Sequence, residues 1–187
     1  GMATQAALRK FTVDEYHRLA ETGTLSEDDR VELIEGVLIQ MPPIRSAHAG
    51  GVDRLTMWLA PALRGRCIVR VQSPIRLGPY SEPRPDLALL RPREDFYAAS
   101  HPGPADVLLV IEVAESSADY DRTHKLPLYG RAGIPEAWVV DLAREEVVVG
   151  RDPSPEGYRT LQVARQGETL TPLAFPDLIL SVDEILG

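Results

Sequence analysis

With a single cysteine, Cys67, in 187 residues, the chain has no intrachain disulfide and no cysteine-built zinc cluster. Lysine is almost as scarce: Lys10 and Lys125 stand against eighteen arginines. Long apolar runs are missing too. No stretch approaches the roughly 20 residues that a membrane-spanning helix needs. No signal peptide precedes the first predicted helix, and Gly1 ahead of Met2 reads as a cloning remnant. The expectation is a cytoplasmic protein. Positive charge is in deficit overall, with a net charge of −8. That argues against a general nucleic-acid coat, whose affinity comes from neutralising phosphates.

What is present is ordinary for a globular protein: 44% hydrophobic and 26% charged residues, enough for one domain with a real core. Charge is unevenly spread. Arg54 to Arg93 holds eight arginines against Glu82 and Asp86, so that segment is +6 and the remainder −14. A phosphate-binding face and a solvated surface fit this asymmetry equally well.

Thr12-Val13-Asp14-Glu15 has the form of a capping box and predicts a helix to about Glu21, ended by Gly23. Arg30 to Met41 predicts two short strands hinged at Glu35-Gly36. Val52, Leu55, Leu59 and Leu63 are at helical spacing within 47–63, with Met57 and Trp58 expected to widen the apolar face. Cys67 to Leu77 predicts a strand bent near Pro74. Asp86 to Leu90 and Val107 to Ala114 are the clearest strands. A helix over 119–132 follows, interrupted by Pro127 and closed by Gly133. A hairpin at 136–149, strands at 158–164 and 169–170 completing the sheet, and a terminal helix at 182–186 finish a single α/β domain over 1–187, with 1–10 as a flexible N-terminal extension.

One residue breaks the apolar logic. Glu112 lies inside Val107-Leu108-Leu109-Val110-Ile111-Glu112-Val113-Ala114, where an unpartnered carboxylate would be costly or neutralised. Pro85-Asp86 opens the other buried strand, and Lys125 lies one helical turn beyond Asp121. Two strand-borne acids with a nearby lysine suit metal-assisted hydrolysis of a phosphodiester. Mg²⁺ takes one or two carboxylates and keeps its other positions for water and phosphate oxygens. Lysine supplies a compact, tunable charge that an arginine fork does not. A salt-bridged Glu112 near a strand end fits the same residues. Glu32 or Glu35 would supply a further acid.

Glu32-Leu33-Ile34-Glu35-Gly36, Pro85-Asp86, Ile111-Glu112-Val113, Asp121-x-x-x-Lys125, Tyr129 and Gly133-Ile134-Pro135-Glu136-Ala137-Trp138-Val139-Val140-Asp141 together resemble the Uma-type restriction-endonuclease family of the PD-(D/E)XK nuclease superfamily. The resemblance covers about Phe11 to Leu186. It implies a restriction-endonuclease-like fold, a mixed central sheet flanked by helices, and a Mg²⁺-dependent endonuclease acting on DNA, with Mn²⁺ as a substitute. It implies Asp86 and Glu112 as metal ligands. The superfamily lysine would fall at Ala114, and Lys125 takes its place. Glu32 matches the early acid, and His48 stands where family members carry a histidine. Glu35 and Asp121 are accessory candidates, and Arg54, Arg76 and Arg84 are candidate nucleic-acid contacts. A homodimer is implied by analogy. Two other readings stay open: a nuclease scaffold that binds without turnover, and a metal hydrolase for small phosphate esters.

Overall fold

The computed structural model describes residues 6–26 and 28–187. The first five residues of the expected N-terminal extension lie outside the described residues. Residues 6–10 run exposed until Lys10 packs on Gly36 and the Phe11 N–H donates to the Gly36 carbonyl at 2.8 Å. Helix α1 (Val13–Glu21) starts at the predicted box: Thr12 Oγ1 accepts from the Glu15 N–H, and the Glu15 carboxylate accepts from the Thr12 N–H, each at 3.1 Å. Strands β1 (Val31–Ile34) and β2 (Val37–Gln40) form a hairpin whose two turn residues, Glu35 and Gly36, both take positive φ, 48° and 80°. That geometry matches the right-handed twist of the strands it joins.

The main sheet has six strands in chain order: β3 (Ile68–Val71), β4 (Leu87–Leu90), β5 (Val107–Ala114), β6 (Glu136–Asp141), β7 (Glu146–Ser154) and β8 (Gly157–Arg165). Only β5 and β6 are parallel; the other neighbours are antiparallel. β4 and β6 are buried along their whole length, as expected of strands covered on both faces. Side chains of β5 alternate between two cores. Leu109, Ile111 and Val113 face helices α2 (Ser46–Ala62) and α5 (Val182–Leu186). Val110 and Ala114 face Leu126 and Tyr129 on the other side. Glu112 shares the parity of Val110 and Ala114. Leu87 pairs with Ile111, so Asp86 falls opposite Glu112 on that same face.

Four expectations are corrected. The strand after Cys67 is only four residues long, because Gln72 takes φ of 50° and turns the chain out of the sheet. Thr169–Leu170 (β9) pairs with Leu180–Ser181 (β10) in a separate two-stranded sheet rather than completing the main one. Met57 and Trp58 are 76% and 43% exposed; the buried stripe of Val52, Leu55, Leu59 and Leu63 leaves them on the other side of α2. The helix expected over 119–132 is three pieces: α3 (Ala118–Tyr120), a π-helical turn at Asp121–Lys125, and α4 (Leu126–Arg131). The Leu126 N–H reaches back five residues to the Asp121 carbonyl, and Pro127, which has no N–H to give, enters the first turn of α4, where none is required. Among the described residues no helix is long and apolar enough to cross a membrane.

Candidate active site

Four elements deliver charge to one place. β1 brings Glu32, the segment before β4 brings Asp86, β5 brings Glu112, and the π-helical turn brings Asp121 and Lys125. All five are at least 93% buried, yet all line one cavity of about 690 Å³. The π-helical turn helps to bury Asp121 and Lys125 together. Asp121 and Lys125, four residues apart along this turn, share a face, and that face is part of the interior.

Lys125 Nζ stands 2.8 Å from Glu112 Oε1 and 3.0 Å from Glu32 Oε1. Tyr129 donates its hydroxyl to Glu112 Oε1 at 2.6 Å, and the Arg84 N–H donates to Glu32 Oε2 at 2.9 Å. Asp86 Oδ2 accepts from the Val113 N–H at 2.8 Å, while Oδ1 lies 3.1 Å from His48 Nε2. Each acid is thus fixed by a donor from a different element. Burial works against charge on Lys125, but Glu112, Glu32 and Asp121 more than offset it, and its ammonium stays protonated far above its ordinary range. Burial raises the Glu112 carboxyl well above the usual range; Lys125 pulls it down, and Asp86, Asp121 and Glu32 push it up. The hydrogen bond to Asp86 raises His48. The same burial, with Glu112 beside it, raises the Tyr129 hydroxyl.

Asp121 is pushed up to about 6, by burial first and by Asp86 and Glu32 besides, against Lys125 and a 3.2 Å hydrogen bond from Ser117. A carboxyl with a folded-state pKa above its unfolded value costs stability once pH exceeds both. A rise from 3.8 to about 6 corresponds to about 3 kcal/mol at neutral pH, relieved as pH falls from about 6 towards 4. Asp121→Asn should therefore stabilise the metal-free protein by about 1–3 kcal/mol at pH 7 and by little at pH 4. Urea melts at the two pH values measure this, and an equal effect at both would refute it.

Other residues singled out from the sequence lie apart. Glu35 is at the hairpin turn, half-exposed and paired with Arg131 at 2.7 Å. Arg54 spends its guanidinium on the Ile185 and Leu186 carbonyls, at 3.2 and 2.6 Å. Arg76 lies 3.6 Å from Asp14, and only Arg84 of that trio lines the cavity. Tyr129 was missed as a participant, although Asp121, Lys125 and Tyr129 follow one another at four-residue spacing. Four more acids are buried without having been singled out for the site: Glu82, 2.6 Å from His17 Nε2; Glu136, which accepts from Trp138 Nε1 and Arg151; Asp141; and Glu146. Nothing in the periodicity distinguishes them.

Among the described residues no three His, Cys, Asp or Glu side chains are arranged to enclose a metal ion. A hard cation that keeps its water needs only one or two carboxylates. Asp86 and Glu112, opposite one another on a cavity wall, are such a donor set.

The fold is shared with a solved nuclease-like protein. A crystal structure described as "a putative nuclease belonging to DUF820 from Anabaena variabilis ATCC 29413" is similar over 94% of this chain and 97% of its own, with a TM-score of 0.71 at 18% identity. The chain belongs to the Uma2 family, described as "Putative restriction endonuclease", whose model matches residues 13–183. No curated protein matches the sequence.

Proposed function

We propose that this chain is one nuclease domain that hydrolyses phosphodiester bonds of DNA with a divalent cation, Mg²⁺ or in its place Mn²⁺, held by Asp86 and Glu112. One observation carries the reading: an acid just ahead of β4, an acid on the neighbouring β5 and a buried lysine share a single cavity. When bound, the cation supplies charge neutralisation for a phosphodiester and a water of lowered pKa. The chain's own groups do the rest. The Val113 N–H and His48 hold Asp86 in one orientation. Tyr129 holds Glu112, so its carboxylate does not have to reorganise as charge develops. Lys125 sits on Glu32 and Glu112, and its ammonium orients the attacking water or stabilises a phosphate oxygen. Glu32 fixes Lys125 and assists with the water.

A second reading has an observation of its own. Lys125 neutralises Glu32 and Glu112 without any cation, which is how a binding scaffold without turnover would be stable. Incubation of the protein with supercoiled plasmid and with single-stranded DNA, in Mg²⁺, in Mn²⁺ and in chelator, decides between them. Cleavage with metal and none in chelator is expected. No cleavage of either substrate with either metal would hand the lead to the scaffold.

A further inference from the structure

Resting on the nuclease reading of this cavity, we propose that its substrate is a single strand of DNA, entered as an unpaired segment or frayed end, and not intact duplex. Most arginines of the chain are engaged: Arg66 pairs with Asp177, Arg93 with Asp95, Arg151 with Glu136, and Arg54 is bonded to backbone carbonyls. Arg30, Arg45 and Arg84 make no side-chain ion pair or hydrogen bond among the described residues, and all three line the candidate active-site cavity. They come from three separate places: the flank of β1, the residue before α2, and the segment ahead of β4. Arg30 Nε is buried without a partner. Guanidinium groups left free around a cavity of buried acids are suited to phosphate oxygens, which they meet with a planar fork of donors. Asp28 and Glu115 share the lining, so the arginines outnumber the acids at its more exposed part only slightly, and phosphates must approach along the arginine side.

An aromatic step stands in the same wall. Tyr120 lines the cavity and stacks on His124, with ring centroids 4.8 Å apart and planes 13° from parallel. Cationic side chains beside an aromatic face are what an unpaired strand uses, its phosphates on the former and a base on the latter. A paired duplex hides its base faces and gains nothing from Tyr120. Asp86 and Glu112 are 7% and 5% exposed, so the scissile phosphate must come into the cavity to reach them.

Fluorescence anisotropy of the whole protein in chelator tests this, with a labelled twelve-nucleotide oligo-dT, the same strand annealed to its complement, and a series of salt concentrations. The single strand is expected to bind at least tenfold tighter than the duplex. The double variant Arg30→Ala/Arg45→Ala should weaken single-strand binding and reduce the magnitude of the salt slope by about 1.4, the loss of two phosphate contacts. Tyr120→Ala should weaken binding about tenfold with the slope unchanged. Arg66→Ala, which removes an arginine away from this cavity, should change neither. Duplex binding as tight as single-strand binding, no binding of either probe, or an unchanged slope in the double variant overturns the proposal. Cleavage is read separately. A protein that cuts relaxed duplex with metal but shows no single-strand preference keeps the nuclease reading and loses this one. A protein that prefers the single strand but cuts nothing does the reverse.

Discussion

Lys125→Ala should make the metal-free protein less stable by about 3–5 kcal/mol, the scale for removing one partner of a buried ion pair. The substitution leaves Glu32 and Glu112 4% and 5% exposed with no ammonium between them. Deprotonation of Lys125 itself should not weaken the wild type over the accessible range. Its folded pKa lies above the ordinary 10.5, so the stabilisation is complete below 10.5 and lost only at higher pH. In the variant, acid should help: Glu112, already raised by burial, takes up a proton and relieves the repulsion. A divalent cation should help more, because it returns positive charge to the acids. The rise in melting temperature on adding Mn²⁺ should therefore be larger in the variant than in the wild type, while plasmid cleavage falls by about 10²-fold or more, the usual effect of losing one positioned charge. A variant that melts with the wild type in chelator would show that Lys125 is not the counter-ion. One that cuts at the wild-type rate would remove it from the chemistry.

Glu112 was conspicuous in the sequence for the reason that makes it useful: a carboxylate within eight otherwise apolar strand residues has no cheap explanation. Asp86 was less so, and its place opposite Glu112 depends on the register of β4 against β5, which no sequence pattern gives. Lys125 stood out because arginine dominates the chain, and its contacts with Glu32 and Glu112 show what it pairs with. Four-residue spacing puts Asp121 and Lys125 on one helix face, but which way that face turns depends on how the π-helical segment packs on the sheet. Pro127 marked the location of that irregularity without revealing its shape.

The arginines show where sequence reading stops. Composition located a basic segment, Arg54 to Arg93, but not which guanidiniums were already committed. Arg54 fastens the C-terminal helix, whereas Arg30 and Arg45, outside that segment, line the cavity beside the acids with no side-chain ion pair among the described residues. The exposure of Met57 and Trp58 has a similar cause. Helical spacing identified a buried stripe on α2, but only the position of the sheet decides how wide that stripe is.

Asp86→Asn is the sharper test of metal binding because it changes charge while nearly preserving shape. The amide oxygen can still accept from the Val113 N–H, so folding should survive. Cation affinity should fall, cleavage should drop by about 10²-fold or more, and high Mn²⁺ should recover part of it, since a carboxylate ligand has been weakened rather than the cavity closed. An independent readout lies in His48. Its 3.1 Å contact with the Asp86 carboxylate holds its pKa above the ordinary 6.5. Taking that charge away should bring the imidazole titration down, which proton NMR follows in chelator without any substrate. If cleavage persists at the wild-type rate, Asp86 does not hold the cation. If cleavage is lost but the His48 titration does not move, the Asp86–His48 contact does not orient the carboxylate, and the loss arises at the metal alone.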